Sequence, residues 1–308
     1  VSAAAELVAD LGAAAESEEF FRSRPFLDAE GVTHTLRIDS DAGELLAPLI
    51  VREIPDANAQ DAISPYGYPG IVGPAIDPAE VDFAATGLVS AFIRHTLAEP
   101  PLGRAAERNV VQIADPALPA KSRGSDRNRI NKNRRAGYEV RVVPGPETTL
   151  DQRAGFLAAY AQTMRRAEAA ERYLFGAPYF DRILESTQAW LALAAAPEGT
   201  VAAASVAVRS DGFLHYYLSG SADAHLRDSP MKNVVAALVE LSAELGLPLN
   251  LGGGLSRGDA LEEFKRGFAN REQPWQVSEI VCDSAAYDLL SESRESAGFF
   301  PAYRAPDR

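Results

Sequence analysis

The sequence predicts an α/β protein made of two similar α/β layers. Three observations lead there. Short apolar runs of strand type are interleaved with helical patterns in both halves of the chain. Asp211-Gly212 sits between two apolar runs, as a hairpin turn does. The chain has 308 residues, 46% of them hydrophobic, so at about 150 residues per domain it can build two cores.

Taken in order, Ser2–Phe21 is rich in Ala and Glu and predicts a helix, while Thr33–Asp39 and Leu45–Ile54 predict strands. A polar loop over Asp56–Ala62 leads into Ser64-Pro65-Tyr66-Gly67-Tyr68-Pro69-Gly70, whose Pro and Gly content predicts an ordered loop. Pro78–Ala98 predicts a helix, with Val81, Leu88, Phe92 and Leu97 along one stripe, stopped by Pro100-Pro101. Asn109–Ala114 and Tyr138–Val143 predict strands. Pro144-Gly145-Pro146 stops both kinds of element and marks the domain boundary, giving domains 1–145 and 146–298, with the tail 299–308 returning to the first.

Beyond that break, Leu150–Ala170 and Pro178–Ala196 predict helices, and Thr200–Val208 with Phe213–Ser219 a hairpin. Met231–Leu245 predicts an amphipathic helix, with Met231, Val234, Val235, Leu238, Leu241 and Leu245 on one face. A strand over Leu247–Leu251, a helix over Asp259–Phe268, a strand over Val277–Cys282 and a last helix complete the chain.

Composition narrows function. The net charge is −13, which opposes a general nucleic-acid binder. One cysteine, Cys282, excludes a disulfide framework and a Cys-based zinc site, and four scattered histidines oppose a His-rich metal site. No apolar run approaches the roughly 18 residues of a membrane helix. The start lacks a basic segment and a Leu-rich core, so no signal peptide is expected. The expectation is a soluble cytoplasmic monomer.

One segment breaks the acidic pattern. Lys121, Arg123, Arg127, Arg129, Lys132, Arg134, Arg135 and Arg141 are opposed only by Asp126 and Glu139. The island carries +6, leaving −19 on the rest. At helical spacing Arg127, Lys132 and Arg135 share a face, with Ile130 as the apolar anchor. Arginine forks suit phosphate oxygens, so the island is a candidate site for an RNA acceptor end or a phosphorylated substrate. The same pattern also fits a solvated helix paired with the acidic body.

The second chemical signal is Leu251-Gly252-Gly253-Gly254-Leu255-Ser256-Arg257-Gly258-Asp259, followed by Ala260-Leu261-Glu262-Glu263-Phe264-Lys265-Arg266-Gly267-Phe268. Three glycines allow close approach of backbone or ligand. Asp259 with Glu262 forms a capping pattern that sets the helix start. Leu261, Phe264 and Phe268 should bury one side and hold Lys265 near the turn. Lys265 alone fits a surface lysine paired with Glu262; glycines, cap and lysine together point to a site. No G-K-[ST] follows, so this is not a P-loop.

Weaker candidates are Tyr66 and Tyr68 in the Pro/Gly loop, Arg172 after a helix carrying Arg165 and Arg166, and the strand residues His215, Tyr216 and Tyr217. His215 and Tyr217 should face one side and Tyr216 the other. His215 and Cys282 read as structural.

These motifs together resemble the FemABX-type, or Fem-like, aminoacyltransferases of the GNAT superfamily. The likeness rests on Gly252-Gly253-Gly254, Asp259, Leu261, Phe264-Lys265 and Gly267-Phe268, and on Ser64-Pro65-Tyr66-Gly67-Tyr68. The spacing of Tyr160, Met164, Tyr173, Phe175 and Tyr179-Phe180 adds to it. The resemblance implies two GNAT-like domains, each a mixed twisted sheet flanked by helices, of the compact type without a coiled-coil arm. It implies transfer of an amino acid from aminoacyl-tRNA to an amine of a small molecule or peptide precursor, without cofactor or metal.

In that reading Lys265 is catalytic and stabilises charge near the tRNA end. Tyr66, Tyr68, Arg172, Tyr216, Tyr217, Gly253 and Asp259 bind substrate, and Arg127, Arg129, Lys132, Arg134 and Arg135 bind tRNA. The rival is acyl-CoA-dependent N-acyl transfer. Its pyrophosphate turn would fall at Arg227-Asp228-Ser229-Pro230-Met231-Lys232, which has no glycine, and Pro230 has no N–H.

Overall fold

The computed structural model describes residues 3–11, 17–292 and 298–305. In chain order the elements are β1 (Ala3–Val8), α1 (Arg24–Ala29), β2 (His34–Ser40), β3 (Gly43–Glu53), β4 (Gln60–Ile63), β5 (Val81–Asp82), β6 (Ser90–Arg94) and β7 (Ala106–Ala114). They continue with α2 (Gly124–Arg135), β8 (Glu139–Pro144), α3 (Leu150–Arg166), α4 (Ala177–Leu184), β9 (Ala189–Ala195), β10 (Val201–Ser210) and β11 (Phe213–Ser221). The last are α5 (Met231–Leu245), β12 (Leu249–Asn250), α6 (Ala260–Arg266), β13 (Arg271–Val281) and α7 (Ser284–Ser291). The chain is α/β, with mixed sheets flanked by helices. It divides into two compact units, Val1–Arg108 with Pro274–Arg308, and Asn109–Gln273.

In the first unit the strand order is β5-β1-β2-β3-β4-β6-β13. The pairs β1–β5 and β4–β6 are parallel; β1–β2, β2–β3, β3–β4 and β6–β13 are antiparallel. The core gathers Leu36, Ile38, Leu45, Leu49, Ile93 and Leu102. The tail packs on this unit: Tyr303 Oη lies 2.7 Å from Ser90 Oγ, and Arg304 pairs with the buried Asp61 while donating to the Glu53 carbonyl at 2.7 Å.

Two expected helices of this unit are strands. Within Ser2–Phe21, Ala3–Val8 pairs with β2 from Ala4↔Asp39 to Val8↔Thr35; residues 2 and 12–16 lie outside the described residues. Ala3 and Ala5 are buried while Ala4 and Glu6 are exposed, so pairing outweighs the weak helix preference of Ala. The stretch Pro78–Ala98 breaks into two 3-10 turns, Pro78–Glu80 and Ala84–Thr86, with β5 between them and β6 after. Gly87, at φ +68°, ends the second turn. Ser90 to Ile93 are all buried, so β6 has no polar face to betray its period. The loop expected over Asp56–Ala62 also gives way to β4 from Gln60.

In the second unit the order is β7-β12-β11-β10-β9-β8, with β11–β12 parallel and the other pairs antiparallel. Its core joins Val234, Val235 and Leu238 of α5 to Ala192, Ala203, Leu214, Leu249, Leu251 and Phe268. Asp211 (φ +49°) and Gly212 (φ +76°) form the expected β10–β11 hairpin turn. The stretch Pro178–Ala196 is not one helix: α4 ends at Leu184, and Ala189–Ala195 is a strand paired on both sides.

The expected boundary at Pro144-Gly145-Pro146 is not where the chain divides. Gly145–Glu147 is a 3-10 turn joining β8 to α3 inside the second unit. The division falls within β7 and β13, because β13 pairs with β6 across most of the sequence, from Val277↔Arg94 to Val281↔Ser90.

Candidate active site

The site is built on the turn between β12 and α6, inside the second unit. Gly252 has φ +75°, a left-handed conformation that glycine adopts freely. A Cβ on Gly253 would stand 2.5 Å from Asn109 Nδ2 and 2.8 Å from the Val110 carbonyl oxygen. One on Gly254 would stand 2.4 Å from an Asp259 carboxylate oxygen. The first glycine serves the bend and the other two serve close approach.

Asp259 is the helix cap. Its carboxylate accepts the Glu262 N–H at 2.8 Å, the Leu255 N–H at 2.6 Å and the Ser256 N–H at 3.0 Å. Those backbone bonds, that of Glu262 foremost, hold its carboxyl below the ordinary range. Asp259 thus ties the loop to the start of α6, and its oxygens are engaged by backbone rather than offered outward.

Lys265 lies in the last turn of α6. It is 8% exposed, and its Nζ donates to the Gly253 carbonyl at 2.6 Å. Burial lowers it to about 8, against a smaller upward pull from Asp259. The pairing with Glu262 is not formed: Glu262 accepts from the Gly258 N–H at 2.7 Å and pairs with Arg266. Among the described residues no carboxylate lies within ion-pair distance of Lys265, and Nζ has no second hydrogen-bond acceptor. An ammonium has three N–H groups, and the Gly253 carbonyl takes one of them. Phe264 and Phe268 pack on the core as expected, but Leu261 is 40% exposed, because Glu262 takes the buried position.

The basic helix α2 packs beside α6. Arg123 pairs with Glu263 at 2.5 Å, and the missing side chain of Gly267 leaves room for Asp126, which binds Lys232. Asp126, Ile130 and Asn133 form the buried face. Arg127, Lys132 and Arg135 are exposed and have no acidic partner among the described residues. Arg129 lies 3.8 Å from Asp228 and Arg134 3.7 Å from Glu240.

The remaining candidates are placed as follows. Tyr216 packs on the same apolar cluster as Phe264, donates to Ser219 Oγ at 2.6 Å and is pushed up to about 12 by burial. Tyr217 turns the other way and its Oη lies 2.7 Å from that of Tyr179. The register shifts here, Val206 facing Leu218 and Ala207 facing Tyr216, so Tyr217 is the extra residue of a β-bulge. Arg172 is exposed, with its guanidinium 4.9 Å from the Tyr173 ring centroid. In the first unit, the Tyr66 N–H donates to Glu30 at 2.7 Å, and Tyr68 packs edge-on against Phe21 and Trp275. Cys282 is half-buried, its thiol pushed up to about 11 by burial.

Sequence reasoning missed Asn109 and Asn250. Asn109 donates to the Gly254 carbonyl at 2.9 Å, and Asn250 accepts the Gly252 N–H at 2.8 Å. An asparagine two residues before a glycine turn is the available signal, since Asn side chains commonly bond backbone two residues on.

Helix α5 begins poorly for an anion. Pro230 is its cap, and the N–H groups of Lys232 and Asn233 bond the carbonyls of Ser229 and Pro230 at 3.0 and 2.9 Å. The Asp228 carboxylate stands in the same turn, accepting from Tyr138 Oη at 3.1 Å. Among the described residues no cluster of His, Cys, Asp and Glu could hold a metal, and no helix is long and apolar enough to cross a membrane.

Residues 120–266 match the family described as Acetyltransferase (GNAT) domain. No curated protein matches the sequence. Among solved structures, the chain is similar to FemX (TM-score 0.62, 11% identity, covering 87% of this chain and 93% of that one). It is also similar to the C-terminal domain of a putative lysylphosphatidylglycerol synthetase from Agrobacterium fabrum (TM-score 0.60, 15% identity, 89% and 90% covered). A third is L-PGS from Bacillus licheniformis (TM-score 0.51, 13% identity, 84% and 90% covered). The chain shares the fold of these proteins, and the stretch that matches the GNAT acetyltransferase domain family, residues 120–266, carries the glycine turn and Lys265.

Proposed function

We propose that this protein is an aminoacyltransferase that moves an amino acid from aminoacyl-tRNA to an amine of a small molecule or peptide precursor. The carrying observation is the Lys265 ammonium: buried, held by one carbonyl, and without a carboxylate partner among the described residues. Burying an unpaired charge is costly and is rarely retained for structure alone.

An aminoacyl ester is already activated. A neutral amine attacks the ester carbonyl, a C–N bond forms, and the carbonyl oxygen gains charge. The C–O bond to the ribose then breaks, and the ribose oxygen leaves with the proton shed by the amine. The two unused N–H groups of Lys265 suit that developing charge, and such fixed donors contribute a few kcal/mol, about 3 in measured cases. The exposed face of Arg127, Lys132 and Arg135 offers phosphate contacts next to α6. The names of the similar structures, lysylphosphatidylglycerol synthetase among them, agree with aminoacyl chemistry.

A second reading is acyl-CoA-dependent N-acyl transfer, favoured by the family's description. The cap of α5 opposes it, since Pro230 supplies no N–H and Asp228 would repel a pyrophosphate. The deciding experiment incubates the protein with a mixed aminoacyl-tRNA pool and candidate amines, with and without ribonuclease, and reads products by mass. Ribonuclease-sensitive amide formation supports the proposal. Thermal stabilisation saturating at micromolar acetyl-CoA, without any such product, overturns it.

A further inference from the structure

We infer that Asn250 and His215 are positioning residues for Lys265, acting through a buried hydrogen-bond relay that fixes the glycine turn. The inference rests on the reading of Lys265 as the site's cation.

The relay runs across the second unit. His215 Nε2 lies 3.1 Å from the Ser210 carbonyl, which can only accept, so Nε2 carries the proton. Nδ1 is then a lone-pair acceptor, and it lies 3.1 Å from Asn250 Nδ2. That contact orients the Asn250 amide and leaves its Oδ1 to accept the Gly252 N–H at 2.8 Å. The Gly252 carbonyl in turn accepts the Gln112 N–H at 3.1 Å. Both polar groups of Gly252 are therefore fixed, and the following peptide presents the Gly253 carbonyl to Lys265 Nζ.

Each of these bonds assigns one role to each atom it joins. His215 and Asn250 are 2% and 1% exposed, so water cannot replace a lost bond without cost. Burial lowers His215 to about 4, so its neutral form and the sense of the relay persist through neutral pH. An apolar residue at 250 would leave the Gly252 N–H without its acceptor and remove the contact to His215. Leucine at 215 would let the Asn250 amide rotate. The Gly253 carbonyl then loses its set direction, and Lys265 loses its acceptor.

The test reads Lys265 directly and needs no substrate. The whole protein is labelled with acetic anhydride across a pH series, and modification of Lys265 is followed by mass spectrometry. In the wild type burial should keep the midpoint lowered, to about 8, and the labelling slow. In Asn250→Leu and His215→Leu the ammonium loses the carbonyl that favours its charged form, so its titration midpoint should fall below the wild-type value and its labelling at neutral pH should rise. His215→Gln, which can offer one donor and one acceptor, should stay near the wild type. If Asn250→Leu does not fold, Asn250→Ala takes its place. A folded variant lacking either residue with an unchanged Lys265 midpoint overturns the inference. In the aminoacyl transfer assay the same variants should lose kcat, up to about 100-fold, with KM little changed. Absence of transfer by the wild type counts against the proposed function, while the labelling still decides the relay.

Discussion

The Nζ of Lys265 and the carbonyl oxygen of Gly253 are 2.6 Å apart, and this is the only hydrogen bond the lysine side chain makes among the described residues. The bond ties the last turn of a short helix to the bend that precedes it. It gives the ammonium a fixed position without neutralising it.

Lys265→Met should abolish transfer while leaving the fold, and Lys265→Arg should not restore it, since a planar guanidinium fork is bulkier than an ammonium and aims its N–H groups differently. The stability effect has a defined sign. Below about 8 the lysine is charged in both folded and unfolded chains, and the full cost of burying it is present. Between about 8 and the ordinary 10.5 the unfolded chain binds the extra proton, so wild-type stability gains with rising pH from this group. The gain is of the order of 3 kcal/mol. Denaturant titrations at pH 7 and pH 10 should show the difference between wild type and Lys265→Met closing by that amount in the wild type's favour.

Gly253→Ala should be worse than Gly252→Ala. The second must adopt the left-handed backbone of Gly252, a cost of about 1–2 kcal/mol. The first drives a methyl against the Asn109 side chain and the Val110 carbonyl, so β7 must shift. Chemical denaturation midpoints measure the order, and transfer assays should show Gly253→Ala inactive.

Asp259→Ala removes the cap and the ties to Leu255 and Ser256, at a cost of about 1–2 kcal/mol. Its carboxyl lies below the ordinary range because backbone N–H groups, that of Glu262 first, bond the charged form. That contribution is present above the unfolded carboxyl range and disappears as pH falls through the lower folded value. Acid denaturation should therefore separate wild type from Asp259→Ala at neutral pH and bring them together in strong acid.

For the α2 face, binding of tRNA should weaken steeply with salt. Arg127→Ala, Lys132→Ala and Arg135→Ala should each reduce the slope of log affinity against log salt by roughly 0.7–0.9 for every phosphate left without its cation. Melting temperature should hardly move, because these side chains make no ion pair among the described residues. Filter binding at several salt concentrations reads the slope, and a salt-insensitive interaction rejects the assignment.

The parts legible in the sequence are those whose signals are local. The stripe over Met231–Leu245 gives α5 its bounds, Asp211-Gly212 gives its hairpin, and Asp259 caps α6. The lysine and its glycines could be singled out because turn, cap and helix follow one another within about fifteen residues, a span that local pattern rules cover. What escaped depends on distant pairing. Ala3–Val8 is a strand because β2 lies beside it, and Ala189–Ala195 because β10 and β8 flank it; alanine alone favours neither state strongly enough. The bond of Lys265 to Gly253 rather than to Glu262 follows from the bend's geometry, which no spacing along the helix reveals.

The first unit is interrupted by the whole of the second, and β13, which borders β6, is made only after residue 270. A ribosome therefore releases 109–273 before the earlier segment can complete its sheet. The inserted body is positioned to mature by itself during synthesis, while 1–108 waits with an open edge for its missing partner. Excising the insert should yield a self-sufficient fragment, whereas truncating after residue 108 should leave an aggregation-prone one.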